Sequence, residues 1–377
     1  LQDLKSFIKN ENFKKIFVLT GKKSFLKSEA KRLISPMLKP KNTYFYFKKS
    51  YYPEMNELKN IINTLNYFNP DLILAVGGGS VLDYAKIARV YIKVLDLKKA
   101  IIYPDKFKKN KNLKLVAIPT TAGSGAEVTE NAVIYIGDKK YSVEGKEVKP
   151  DFFFLIPRLI LNSSKKIKSS SGFDAIAQAI ESLISNRSTK QSVYFAKKSL
   201  ELSFRNFENF VIKPNFDNTM KMSIAANLSG RAISISKTTA PHALSYPFTA
   251  HFGVPHGHAV SLTLNEFLKF NFLNLKNSIS PFSLKKRYNN IFDSAKVQNI
   301  NELDSFLKKM KSNTGLENNF KKLGISIKKD YKKILSGVNS QRLKNNPIKI
   351  KTSDIKQILL NKWNKKKLTK KKEFYFG

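Results

Sequence analysis

Short apolar runs alternate with helical patterns between Ile16 and Ile136, and this limits the fold more than any other feature of the chain. The runs are Ile16 to Thr20, Tyr44 to Phe47, Leu72 to Val76, Leu115 to Ile118 and Ala132 to Ile136. Strands separated by helices of this length predict right-handed crossovers and a mostly parallel sheet. After Ile160 the β-branched alternation stops. From Ser171 onward the pattern is helical, with breaks expected near Pro214, Gly230, Pro255, Pro281 and Gly324. A chain of 377 residues is longer than one hydrophobic core usually serves. The expected fold class is therefore an α/β N-terminal domain with a mostly parallel sheet (1–160) and an all-α C-terminal domain (161–377). The Lys-rich end, Lys365 to Lys372, reads as a frayed surface helix, with Phe374 to Phe376 available to dock.

Composition removes several chemistries. The chain has no cysteine, which excludes a disulfide scaffold, an iron–sulfur cluster, a thiolate zinc site and a cysteine nucleophile. His, Asp and Glu remain as metal ligands. The richest apolar run, Asp151 to Leu161, is broken by Pro157 and Arg158, so no membrane span is expected. No secretory signal opens the chain, which makes the cytoplasm the default, and Leu1 in place of Met leaves the start open. The formal charge of +40 raises nucleic acid, an anionic membrane or an acidic small substrate as partners. The lysines are scattered, as in Lys14-Lys15, Lys108-Lys109 and Lys328 to Lys333, rather than gathered on one face with interleaved aromatics. That spread reads as solvated surface, with neither nucleic acid nor membrane as partner.

Two loops have the chemistry of anion cradles. Leu72 to Val76 runs straight into Gly77-Gly78-Gly79-Ser80, and a helix begins with Val81-Leu82-Asp83-Tyr84-Ala85-Lys86. Glycines let a backbone approach a pyrophosphate closely, while free N–H groups and the helix dipole favour its charge. The strand ending at Ile118 leads likewise into Pro119-Thr120-Thr121-Ala122-Gly123-Ser124-Gly125. After two parallel strands, both loops would meet at the carboxyl edge of the sheet, where open α/β sheets bind nucleotides. Neither is a GxGxxG fingerprint or a Walker loop.

All four histidines, His242, His251, His256 and His258, fall in one short window. Imidazole is the commonest protein metal ligand. Upstream, Asp174 and Gln178 stand at i and i+4 on one helix face. One Asp with two His is a sufficient set for a divalent metal with open positions for substrate. A capping or core histidine is the plain alternative for each taken singly.

Four ordered motifs, Gly77-Gly-Gly-Ser-x-x-Asp83-x-Ala-Lys86, Pro119-Thr-Thr-Ala-Gly-Ser-Gly-x-Glu-Val-Thr129, Gly172-x-Asp174-Ala175 and His242-x-x-x-Tyr246…Pro255-His256-Gly257, resemble the iron-containing (group III) alcohol dehydrogenase family. The resemblance covers nearly the whole chain. It implies an N-terminal dinucleotide-binding domain, a helical domain and a divalent metal between them, Fe2+ with Zn2+ as the other option. It implies Asp174, His242 and His256 as ligands, with Gln178 where the family usually has His. It further implies Gly77, Gly78, Gly79, Ser80, Thr120, Thr121 and Ser124 around NAD(P)H, with Asp83 and Lys86 beside it, and a homodimer. Where the family commonly has an Asp after the first strand, Gly21 stands here, followed by Lys22 and Lys23; losing a carboxylate and gaining cations favours NADPH.

A narrower likeness, in the Lys237 to His242 stretch and the Ser-Tyr-Pro that follows, is to phosphonoacetaldehyde reductases. The implied reaction is reduction of a small anionic aldehyde such as phosphonoacetaldehyde, with Tyr246 or His258 on the proton path and Lys237 and Arg231 answering the substrate's charge. Maleylacetate reductase-like and glycerol dehydrogenase-like relatives, and a non-catalytic anion- or nucleic-acid-binding protein on the same scaffold, are the alternatives.

Overall fold

The computed structural model describes residues 1–137 and 139–360. The expectations for Lys365 to Lys372 and for Phe374 to Phe376 lie outside the described residues. Five strands form the main sheet: β1 (Lys15–Gly21), β2 (Asn42–Lys48), β3 (Leu72–Gly77), β4 (Lys114–Pro119) and, further on, the short Phe152–Phe153. All of their pairings are parallel. β1, β3 and β4 are buried almost throughout, because helices cover both faces. Phe17, Leu19, Ile73 and Ala75 point into one apolar layer, and Ile16, Val18, Leu72 and Leu74 into the other.

Strand order decides where a ligand can sit. The sheet runs β2-β1-β3-β4 and then Phe152–Phe153, so the direction of winding reverses between β1 and β3. A crevice opens at such a switch point, outside the carboxyl ends of the strands. Gly21 ends β1 and Gly77 ends β3, one on each side of it.

Two expectations are corrected here. Ala132 to Ile136 is a strand (β5, Asn131–Ile136), but it pairs antiparallel with β6 (Lys139–Glu144) in a separate two-stranded sheet. The reason is the connection: only two residues separate β5 from β6, whereas a parallel partner needs a crossover of a dozen or more residues. Gly230 does not break a helix. It lies inside Phe216–Ser236, where a Cβ would meet the carbonyl oxygen of Gly125 at 2.7 Å and its Cα at 2.8 Å, so glycine there serves a close approach between the helix and the loop after β4.

The remaining chain is helical. Lys165–Ile184 and Lys190–Ile212 pack with Phe216–Ser236 around Phe173, Phe207, Phe210 and Met222, and Ala240–Phe252 and His256–Leu273 lie alongside. No helix among the described residues is long and apolar enough to cross a membrane.

Candidate active site

Three helices bring one donor atom each to a common point. Asp174 comes from the middle of Lys165–Ile184, His242 from the first turn of Ala240–Phe252, and His256 is the first residue of His256–Leu273. Their ligand atoms all lie within 4.8 Å of one another. His242 Nε2 stands 3.2 Å from Asp174 Oδ1, and the two imidazoles meet edge to face at 5.5 Å between centroids. Gly257 makes this approach possible. A Cβ there would stand 1.9 Å from the Ser170 carbonyl oxygen and 2.7 Å from Asp174 Cβ, so only glycine lets the helix start against the Asp174 helix.

Electrostatics suit a cation at this point. Burial alone would push the Asp174 carboxyl up, but the His242 hydrogen bond and the neighbouring His256 hold it below its ordinary range. Burial depresses His256 to about 3, leaving it neutral with a lone pair to give. Burial also opposes charge on His242, yet Glu181 and Asp174 outweigh it and lift the ring to about 9. A carboxylate oxygen with two imidazole nitrogens is a donor set that fits a first-row divalent ion.

Glu181 was not singled out in the sequence, although it lies seven residues after Asp174 on the same helix face. It is fully buried. Its Oε1 accepts from Thr239 N (2.9 Å) and Thr239 Oγ1 (2.8 Å), and its Oε2 receives His242 Nδ1. That contact keeps a ring hydrogen on Nδ1 and aims Nε2 at Asp174 and the point where an ion would sit, so ligation requires only the Nε2 hydrogen to leave.

The other expected residues divide. Gln178 is beside the cluster, with its amide NH2 donating to Asp174 Oδ2 at 3.2 Å and its Oε1 accepting from Ser229 Oγ at 3.0 Å. Its oxygen therefore faces Ser229, and ligation would need the amide turned over. Tyr246 stacks on His256 at 6.1 Å and 14°. His258 is a correction: its Nε2 donates to the Glu317 carbonyl at 2.7 Å, which turns the ring to an anchoring contact away from the cluster. Lys237 pairs with Glu144 at 3.0 Å, so its charge is already answered. Arg231 donates to Asn227 Oδ1 and lies over Phe153 and Phe195, on another face of its helix.

Two cations that the sequence did not mark stand here instead. Lys140, from β6, places Nζ 3.7 Å from the Tyr246 ring centroid. Arg342, on the short helix Ser340–Leu343, donates to Thr238 Oγ1 at 2.6 Å, and its charge acts on the Tyr246 hydroxyl. A cavity of about 660 Å³ opens beside them, with Lys140, Tyr135, Tyr246 and His251 in its wall.

The glycine loops meet as their chemistry requires. Thr120 N donates to the Gly77 carbonyl at 3.0 Å. A Cβ at Gly78 would lie 3.4 Å from Thr121 Oγ1, and one at Gly79 3.0 Å from Ser124 Oγ, so the two loops leave exposed backbone where side chains would intrude. Ser80 is in the first turn of the helix Gly79–Val90. This edge fits a pyrophosphate. Lys86 does not belong to it: its ammonium donates to Ala126 O (2.8 Å), Thr129 Oγ1 (2.8 Å) and Asn131 O (2.7 Å). With all three protons engaged, Lys86 pins the loop rather than a cofactor. Asp83 is buried beside it and is pushed up to about 6 by desolvation, against the pull of Lys86.

A doubly wound sheet whose glycine loops leave room for a phosphate, together with helices that gather two imidazoles and a carboxylate, is the arrangement that the family comparison bears on. The chain belongs to the iron-containing alcohol dehydrogenase family: the family's iron-containing alcohol dehydrogenase model matches residues 1–157, and its C-terminal model matches 168–363. It is 30% identical over 225 residues to an alcohol dehydrogenase of Thermococcus barophilus, covering 58% of this chain and 59% of that one. It is 31% identical over 216 residues to a phosphonoacetaldehyde reductase of Streptomyces viridochromogenes, covering 55% of each. The match thus spans little more than half the length of these curated relatives. The crystal structure of a sulfoacetaldehyde reductase from Bifidobacterium kashiwanohense in complex with NAD+ has the same fold, with a TM-score of 0.85, 24% identity, and 95% of this chain and 93% of that chain covered.

Proposed function

We propose that this chain is a metal-dependent, NAD(P)H-linked alcohol dehydrogenase that works as a reductase of small anionic aldehydes, such as phosphonoacetaldehyde to 2-hydroxyethylphosphonate. The observation that carries the reading is the convergence of Asp174, His242 and His256 in a fold whose glycine loops are shaped for a dinucleotide. Two named relatives, one similar in sequence and one in fold, are reductases of two-carbon aldehydes bearing a phosphonate or a sulfonate, which supports an anionic substrate.

Asp174, His242 and His256 would hold the ion, ferrous iron by the two-imidazole, one-carboxylate donor set with open positions, or zinc. Gly77 to Ser80 with Thr120, Thr121 and Ser124 would hold the cofactor's phosphates. When both are bound, the metal supplies Lewis-acid polarisation of a carbonyl and the reduced nicotinamide supplies a hydride. The chain's own task is placement and a proton. Tyr246 holds a proton at Oη: burial raises its phenol, so it stays protonated and can donate to the oxygen of the nascent alcohol. Glu181 keeps His242 in the tautomer that a metal needs. At the end of β1, Gly21 with exposed Lys22 and Lys23 supports NADPH being used at least as well as NADH.

The test is an assay of purified protein with an aldehyde panel, NADH and NADPH, before and after chelation and after ferrous iron is returned. Activity is expected to vanish with the metal and return with it, and to be greatest on anionic aldehydes. Full activity with a chelator present would overturn the metal-dependent reading.

A further inference from the structure

We infer that Arg342 and Lys140, set around the Tyr246 ring, form an anion subsite that takes the charged tail of the aldehyde, a phosphonate, sulfonate or carboxylate. The inference rests on the function proposed above and names the side chains that read the substrate. It begins from position. Tyr246 lies almost parallel to the His256 ring, so groups on Tyr246 sit one aromatic ring away from the metal-binding point. Arg342 acts on the Tyr246 hydroxyl from beside it, and Lys140 Nζ lies 3.7 Å from the Tyr246 ring centroid. They come from opposite sides of the cleft, Lys140 from the β5–β6 hairpin and Arg342 from the helical half.

Neither cation is in a direct ion pair, although Asp83 and Asp174 act on Lys140, and Glu144 on Arg342, from further off. Among the described residues no carboxylate lies within ion-pair distance of Lys140 or Arg342, and the nearby Glu144 is bonded to Lys237. The Arg342 guanidinium is fixed by a neutral partner, Thr238 Oγ1. Two partly buried cations facing each other without a paired anion are unfavourable unless a ligand brings one. Burial, and then the charge of Arg342, outweigh the pull of Asp83 and Asp174 and bring the Lys140 ammonium down to about 7. A guanidinium presents paired N–H donors matched to a phosphonate or carboxylate edge. The dinucleotide phosphates have their own place at the N-terminus of Gly79–Val90, on the sheet side of the cleft. An anion at Arg342 belongs to the other reactant.

The experiment compares wild type, Arg342→Gln and Arg342→Lys in the metal-loaded enzyme. It measures kcat/KM for phosphonoacetaldehyde and for propanal, KM for the reduced cofactor, and thermal protection by ethylphosphonate, an anion with no aldehyde. The Gln variant is expected to lower the ratio of phosphonoacetaldehyde to propanal efficiency by about ten- to hundredfold, mainly through KM. It is also expected to lose ethylphosphonate protection, while Lys recovers part of both. A wild type that prefers the anionic aldehyde, with a ratio unmoved in Arg342→Gln, overturns the subsite and leaves the proposed function standing. A rise confined to the cofactor's KM likewise overturns it by assigning Arg342 to the cofactor. No preference for the anionic aldehyde in the wild type overturns the anionic-substrate reading and the subsite together.

Discussion

Replacing Glu181 by Gln tests how the metal site is set. The change keeps shape and removes charge, and the surroundings determine which way the amide must face. Thr239 offers two donors, its N–H at 2.9 Å and its hydroxyl at 2.8 Å, both to Oε1. The amide oxygen must stay with them, which turns the amide NH2 toward His242 Nδ1. That nitrogen then has to accept, so the ring hydrogen moves to Nε2, the atom facing Asp174. An Nε2 that carries hydrogen cannot ligate. Losing a charge-assisted contact costs about 1.5 to 3 kcal/mol. At about 1.4 kcal/mol per tenfold, this is about a ten- to hundredfold loss of metal affinity, in the range typical when a carboxylate behind a ligating imidazole is removed. Competition for cobalt(II) against a chromophoric chelator reads the affinity, and the cobalt spectrum reads the site. Thermal unfolding of the metal-free variant shows whether the fold itself is intact. Equal cobalt affinity in Glu181→Gln and wild type would refute the tautomer argument.

Gln178→His adds an imidazole one helical turn from Asp174 and is expected to tighten metal binding tenfold or more in the same competition; no gain would mean that this side chain does not reach the ion. Gly21→Asp meets no backbone obstacle, since φ is −98° and only the Ser24 side chain must turn. It is expected to shift the NADPH to NADH efficiency ratio at least tenfold toward NADH, and an unmoved ratio would remove Gly21 from the ribose site. Gly257→Ala forces a Cβ against the Ser170 carbonyl, so it should cost about 1 to 3 kcal/mol or more of stability and weaken metal binding with it. An unchanged unfolding midpoint together with unchanged affinity would contradict the close approach.

Much of the fold was legible because local pattern reports which faces are buried. β1, β3 and β4 read as near-continuous apolar runs because helices cover both sides of a parallel sheet, and the glycines after β3 and β4 read as backbone exposed to a ligand. Asp174, His242 and His256 were legible through motif order, and Glu181 could have been found by its helical spacing from Asp174. Pattern does not report neighbours. The placing of β1 beside β3, and so of the crevice between Gly21 and Gly77, depends on how the crossovers pack. The β5–β6 hairpin left the main sheet because its connection is too short for a crossover, and that carried Lys140 to Tyr246. His258 shares a helix with His256, but its ring turns to Glu317 because positions two apart on a helix face different ways. Among 68 lysines and arginines nothing local distinguishes Lys140 or Arg342 from a solvated surface charge. Only long-range packing decides which cations are drawn into a cleft without a paired carboxylate, because burial and the absence of a direct partner belong to the folded chain and not to any stretch of it.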